Sequence, residues 1–251
     1  MSKIFLGVDF DNTIVSYDEL MYERSVSQGW IAAGFKKSKK DIRDFIRGLP
    51  DGEIKWQHLQ RFAYVEGIKK AGLIAGVKEV FLWCRKYGIK TAIVSHKTEY
   101  ASLDSAKKSN LREAAMGWMM KQDFFKEEDL GLSVKDIFFE HTREAKIERI
   151  KRLRCTHFID DLEETFLAPT FPLNVARLLY QKNEGRRTRD EGRGMKDDRS
   201  PALAGSLGRW TKNRPSSLVL RPSFFIPRPS STILLFNSWK AIHDYLKSLG
   251  K

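Results

Sequence analysis

The sequence predicts an α/β fold: a mainly parallel β-sheet with helices on both faces, and a helical subdomain inserted after the first strand. Three observations predict it. Short apolar runs alternate with segments of helical apolar spacing, the order that builds a parallel sheet through crossover helices. The runs at residues 4–8, 89–94 and 155–159 each end in polar residues suited to chemistry, namely Asp9 and Asp11, Ser95, and Asp160 with Asp161. Between the first two runs, residues 17–71 read as several helices, an insertion in the alternating core.

Taken in order, Ile4-Phe5-Leu6-Gly7-Val8 is a continuous apolar run and reads as a buried strand. In the block that follows, helical spacing is clearest over residues 41–46 and 54–68, with Leu49-Pro50-Asp51-Gly52 as the turn between them. The α/β pattern resumes with a helix over 76–87, stopped by Gly88, and a second strand over 89–94 that ends at Ser95. Residues 111–125 form an amphipathic helix, 134–139 a strand, 144–153 a basic helix and 155–159 a strand that ends at Asp160-Asp161. Residues 177–180 are a further short strand. After a basic segment the fold resumes with an apolar run at 233–236 and an amphipathic helix over 238–249. The pieces amount to a Rossmann-like three-layer α/β/α core from residues 1–16, 72–182 and 232–251, with 17–71 as a helical cap and 183–231 as an insertion.

A chain of 251 residues with 41% hydrophobic content is long enough and apolar enough for one such core with an inserted subdomain. No apolar stretch approaches the roughly 18 residues of a membrane span, and the chain passes from Lys3 straight into a short strand instead of a signal-peptide core. The expectation is a cytoplasmic protein with no membrane partner; oligomeric state leaves no mark in the sequence. Cys84 and Cys155 lie among apolar or helical residues at no metal-ligand spacing and read as structural thiols.

The net charge of +13 suggests nucleic acid at first sight, but much of it is local. From Lys182 to Ser231 there are 12 Lys and Arg against 5 Asp and Glu, a net +7, and five of the chain's 8 prolines. Such composition reads as a disordered or loosely packed insertion. Three readings of it compete: a basic arm for RNA, DNA or an acidic partner; a passive loop; or translated sequence outside the functional protein. Arg186-Arg187-Thr188-Arg189 and Trp210 with its basic neighbours are compatible with nucleic-acid contact but form no recognised groove-reading element, so the passive and artefactual readings are favoured.

Asp9-Phe10-Asp11-Asn12-Thr13 carries the chemistry. Alternate residues of an extended strand point the same way, so Asp9 and Asp11 reach one small volume beyond the strand's carboxyl end, where open α/β sheets bind ligands. Like charges so close need a cation. Mg2+, a hard ion that sits between carboxylates and phosphate, is the natural one. Taken alone, the pattern is also that of an Asx-turn or a helix N-cap after a strand.

With Ile93-Val94-Ser95, Arg143-Glu144-Ala145-Lys146 and Ile159-Asp160-Asp161 following in order, the chain resembles the haloacid dehalogenase superfamily over residues 1–182 and 232–251. The helical block between the first and second motifs resembles the cap that members insert there. The resemblance implies that Asp9 is a nucleophile forming an aspartyl-phosphate and that Asp11 is the general acid and base. An Asp at that second position fits a phosphatase ahead of a phosphomutase; a dehalogenase needs no proton donor there, and transport ATPases carry Thr. Ser95 is expected to bond a phosphoryl oxygen and Lys146 to neutralise nucleophile and phosphoryl charge, although Arg143, one turn earlier on the same helix face, competes with Lys146 on sequence grounds.

Asp160 is the better metal ligand of its pair; with Asp9 and the backbone carbonyl of Asp11 it would hold Mg2+, and Asp161 would orient the metal's waters or bond to Lys146. Asn12, Thr13, His96 and Lys97 are candidate substrate-binding residues, and Tyr17, Tyr22, Arg24 and Trp30 candidate cap contacts. His141 and His157 are given no role. The implied function is Mg2+-dependent hydrolysis of a small phosphorylated metabolite, phosphosugar-like by analogy with capped relatives. The alternatives are a polynucleotide phosphatase or nucleotidase, and a non-catalytic binding protein that keeps the fold.

Overall fold

The computed structural model describes residues 4–101, 109–182 and 232–249. In chain order its elements are β1 (Phe5–Val8), β2 (Val15–Ser16), α1 (Asp18–Ser27), α2 (Lys39–Arg47), α3 (Gly52–Tyr64), β3 (Gly72–Leu73), α4 (Val77–Lys86), β4 (Lys90–His96), α5 (Leu111–Lys121), β5 (Ile137–Glu140), α6 (Arg143–Leu153), β6 (His157–Asp160), α7 (Glu163–Leu167), β7 (Ala176–Tyr180), β8 (Ile233–Phe236) and α8 (Trp239–Ser248).

Six strands form one sheet in the order β5-β4-β1-β6-β7-β8, and every pairing is parallel. The side-chain alternation of the strands divides the core into two faces. Leu6, Val8, Ile93, Ile159 and Leu178 lie in one apolar cluster with residues of α4, α5 and α8. Phe5, Ala92, Val94, Phe158 and Leu179 lie in the other, with Ile147 and Ile150 of α6 and Phe166 of α7. The result is the three-layer α/β/α sandwich that the sequence predicts. The chain leaves β1 toward β4 and β5, then returns to the other side of β1 through β6. That reversal opens a crevice at the carboxyl end of β1, where ligands bind in open α/β sheets.

Residues between β2 and β3 form the helices α1, α2 and α3. They enter and leave through a two-stranded antiparallel ribbon, Val15 opposite Leu73 and Ser16 opposite Gly72. Ser38 starts α2 by accepting the Asp41 N–H at 3.1 Å, and Ile42 and Ile46 bury the apolar face that its spacing forecasts. The helix expected over 54–68 ends at Tyr64, and a separate 3-10 turn follows at Gly67–Lys70.

Other boundaries differ from the sequence reading for local reasons. β4 continues past Val94 through Ser95 and His96, because β5 offers it partners as far as Glu140. Residues 134–136 form a 3-10 turn instead of strand, since the Ser133 side chain accepts the Lys135 N–H at 3.2 Å and turns the chain before β5. β6 begins at His157. Cys155 and Cys84 are both buried and unbridged, and burial pushes both thiols up to about 12, which suits packing and not nucleophilic chemistry. The basic segment of residues 183–231 lies outside the described residues. Among those described, no helix is long and apolar enough to cross a membrane.

Candidate active site

Sheet register brings the acidic residues together. Val8 of β1 is level with Ile159 of β6, and the Asp9 N–H donates to the Ile159 carbonyl at 2.9 Å. One residue beyond these partners, Asp9 and Asp160 leave adjacent strands side by side. α6 begins at the Thr142 cap, whose hydroxyl accepts the Ala145 N–H at 3.0 Å, and so places Lys146 on its buried face. The Lys146 ammonium donates to Asp9 Oδ1 at 2.6 Å and to Asp160 Oδ2 at 2.7 Å, all three side chains being nearly sealed from solvent. Arg143 is half-buried and bonds to neither carboxylate, so the geometry selects Lys146 of the two cations that the sequence left open.

Buried ion pairs of this kind are stable only when nothing is left uncompensated. Here one ammonium faces two carboxylates, and Asp161 adds a third: Asp9, Asp160 and Asp161 each present an oxygen within 4.8 Å of the others. The imbalance is legible in their acidities. Burial pushes Asp9 up to about 6, against the opposing Lys146 charge and with help from Asp160 and Asp11. Asp161 is raised well above the carboxylate range by burial, then by Asp160 and Asp9, with Lys39 and Lys146 opposing. Burial alone works against the Lys146 ammonium, but the charges of Asp160 and Asp9 outweigh it and keep the group charged. Three hard oxygen donors short of positive charge are a donor set that fits Mg2+.

Asp11 goes elsewhere. The Tyr17 hydroxyl donates to its Oδ1 at 2.7 Å, and the buried Lys97 ammonium pairs with it at 2.8 Å to Oδ2 and 3.1 Å to Oδ1. Its carboxylate therefore stands apart from the three-oxygen cluster, which leaves its backbone carbonyl as the group it would offer a metal. Burial and the adjacent Asp11 charge hold the Tyr17 proton in place, so that Tyr17 remains a donor.

The turn after Asp11 is tight: Asn12 N–H donates to the Val15 carbonyl at 2.8 Å and Ile14 N–H to Phe10 at 2.9 Å. Asn12 sits at φ 58°, the left-handed region that Asn tolerates, and its Oδ1 is buried without a hydrogen-bond partner. Thr13 is buried beneath Asp9, its hydroxyl 3.5 Å from Oδ2, while Trp239 Nε1 of α8 donates to the Thr13 carbonyl at 2.8 Å.

Ser95 is buried at the same end of the sheet. His96, next along the strand, is exposed, and its Nε2 meets the His141 carbonyl at 3.1 Å instead of any of the four carboxylates. Among the expected cap contacts, Tyr17 reaches Asp11. Tyr22 accepts the Gly34 N–H at 2.8 Å, and Arg24 and Trp30 line a separate cavity of about 540 Å³ with His58, Arg61 and Phe62. His157 is a packed strand residue bonded to Thr156 at 2.8 Å, and burial lowers it to about 4.

Two site-facing residues carried no signal in the sequence. Tyr64, near the end of α3, packs edge-on against Tyr17 with ring centres 4.8 Å apart, and the Lys97 ammonium lies 4.8 Å from the same ring centre. Lys39, the first residue of α2, is the other, and its charge acts on both Asp161 and Asp11. Each looks like an ordinary surface helix residue until the helices are folded over the crevice.

Fold and site together define a three-layer α/β protein whose central crevice gathers four carboxylates around buried lysines. No family model matches the sequence, and no curated protein matches it. Among solved structures the chain is similar to a HAD-superfamily hydrolase from Ehrlichia chaffeensis, with TM-score 0.46, 12% identity and 100% of each chain covered. It is also similar to a haloacid dehalogenase-like family protein from Streptococcus pneumoniae, with TM-score 0.46 and 13% identity over 72% of this chain and 85% of that one. A HAD-superfamily hydrolase of subfamily IA from Geobacter sulfurreducens gives TM-score 0.42 and 12% identity over 71% and 90%. At such identities the chemistry rests on this chain's own residues.

Proposed function

We propose that the chain is a Mg2+-dependent phosphomonoester hydrolase of the haloacid dehalogenase type, acting on a small phosphorylated metabolite through an aspartyl-phosphate on Asp9. One observation carries this reading: a buried Lys146 bridges Asp9 and Asp160 at the strand ends, while Asp11, two residues on, is held separately by Tyr17 and Lys97. Two carboxylates of one motif in two environments are suited to two roles.

In the first step an Asp9 oxygen forms a bond to phosphorus, the phosphorus–oxygen bond to the leaving group breaks, and Asp11 gives that oxygen its proton. In the second, Asp11 takes a proton from water, the water oxygen attacks phosphorus, and Asp9 and inorganic phosphate are released. Lys146 opposes the charge of the nucleophile, and buried Ser95 is the nearby hydroxyl for a phosphoryl oxygen. Asp9, Asp160 and Asp161, with the Asp11 carbonyl, are the groups that would hold Mg2+, which when bound supplies positive charge to the transferring phosphoryl oxygens. The helices α1–α3 serve as the cap, excluding water from the first step and contacting the leaving group.

The test is phosphate release from sugar phosphates, nucleotides and 3′-phosphorylated oligonucleotides, with Mg2+ or a chelator, for wild type and Asp9→Asn. The expected result is metal-dependent turnover of a small phosphomonoester, lowered at least about a thousandfold in Asp9→Asn. Turnover that survives in Asp9→Asn would sink the covalent mechanism. Turnover confined to oligonucleotides, with an affinity that falls steeply with salt, would move the substrate class to polynucleotides.

A further inference from the structure

The helical block holds a lysine over the crevice that no carboxylate claims. Ser38 caps α2 so that Lys39 is its first residue, and the Lys39 N–H lies 3.4 Å from Asp18 Oδ1. The other oxygen of Asp18 pairs with Lys182, just past β7, at 3.2 Å. Asp18 thus fastens the start of α2 to the sheet and sets where Lys39 projects. The Lys39 ammonium lies 5.7 Å from the Tyr64 ring centre, on the aromatic group that Lys97 also borders and that packs on Tyr17. Among the described residues Lys39 makes no ion pair within 4 Å, although Asp161 and Asp11 both lie within range of its charge.

Resting on the phosphohydrolase reading, we propose that Lys39 is a substrate-binding residue that meets the non-bridging oxygens of the phosphoryl group, whose charge the core lysines, already paired with carboxylates, are not free to oppose. A count of formal charges leads there. On the metal side, the three negative charges of Asp9, Asp160 and Asp161 are balanced by Lys146 and a divalent ion. Lys97 is committed to Asp11, with which it pairs at 2.8 Å. A phosphoryl dianion brings two further negative charges that neither Lys146 nor Lys97 is free to oppose. Lys39, which among the described residues pairs with no carboxylate, is the cation left to meet them, and it comes from the helical block.

The physical setting agrees. Burial works against the Lys39 ammonium, yet Tyr64 and the charges of Asp161 and Asp11 hold it charged, above the usual lysine range. A charged group half-buried over a crevice without a direct carboxylate partner is poised for an incoming anion. The same placement makes it a mild opponent of metal binding, since it stands near Asp161 before substrate arrives.

That double role gives a test with effects of opposite sign. Binding of inorganic phosphate in the presence of Mg2+, and of Mg2+ alone, would be titrated calorimetrically for wild type, Lys39→Met and Lys39→Arg. In Lys39→Met, phosphate affinity is expected to fall by about ten- to a hundredfold, the range of one charge-assisted hydrogen bond. Mg2+ alone should bind it at least as tightly as wild type, and Lys39→Arg should recover most of the phosphate affinity. Phosphate binding unchanged in Lys39→Met overturns the assignment, as does a parallel loss of phosphate and Mg2+ affinity with a lowered melting temperature, which marks a structural role. A wild type that takes up Mg2+ but no phosphate removes the phosphohydrolase reading itself, and the role of Lys39 with it.

Discussion

At the scale of single residues the site is a place where stability is spent on charge. Asp9 is buried, shares one ammonium with Asp160 and is pushed up to about 6. An unfolded Asp titrates near 4, so between about pH 4 and 6 the folded state binds the extra proton. The unfolding free energy therefore falls as pH rises through that window, and above it the folded chain carries the full cost of the buried carboxylate. In metal-free protein Asp9→Asn removes that cost. Its stability relative to wild type is expected to rise by on the order of 2–3 kcal/mol from pH 4 to pH 7.5, read from urea unfolding at both pH values. A pH-independent difference between the two proteins would contradict it. Added Mg2+ should reverse the order, raising the melting temperature of wild type more than that of the variant.

At the scale of elements, the turn that follows β1 is held from behind by the last helix. Trp239 of α8 is fully buried, packs against Phe81 and Tyr180, and donates to the Thr13 carbonyl. It also presses on the start of α4: Gly76 has φ +90°, and a Cβ there would lie 2.7 Å from Trp239 Cβ. Gly76→Ala thus meets both a strained backbone and a rigid neighbour, and is expected to destabilise by about 2–4 kcal/mol. Gly29, at φ +66° with open space around it, is the comparison: Gly29→Ala should cost only about 1 kcal/mol, the conformational part. Denaturant midpoints of the two variants separate the terms, and equal losses would show that the Trp239 contact contributes nothing.

At the scale of the whole molecule, the parallel pairing of β7 and β8 constrains the segment between them. Arg177 lies opposite Ile233 and Tyr180 opposite Phe236, so the chain that leaves the carboxyl end of β7 must return to the amino end of β8. A parallel connection needs about a dozen residues or more, which a tight turn cannot supply. The link between the described ends, at 182 and 232, must be at least that long. Replacing 184–231 by a flexible linker of about 15 residues is expected to leave a folded protein with its melting temperature within a few degrees of wild type; a two-residue link should abolish cooperative unfolding, because β8 and α8 could no longer dock. Loss of the fold with the longer linker would mean that the segment has a structural part of its own.

The sequence by itself determined the architecture and which polar residues stand at the ends of the strands. Apolar runs between helical segments are local signals, and so are polar residues at the strand ends. Hence the sheet, the helical block and the placing of Asp9, Asp11, Ser95, Asp160 and Asp161 at the carboxyl ends of strands were legible in the sequence. Which partner each side chain takes is a long-range matter, and only the tertiary structure decided it. Lys146 prevails over Arg143 because it occupies the buried face of α6. Lys97, a candidate substrate contact by its sequence position, pairs with Asp11, while His96, one residue earlier on an alternating strand, turns to the His141 carbonyl. Tyr64 and Lys39 came into view only in three dimensions, since a lone Tyr or Lys on a helix looks the same in sequence whether it faces water or a cluster of carboxylates. Periodicity records which face of an element is apolar; the charges brought together from elements far apart in sequence are set by how those elements pack.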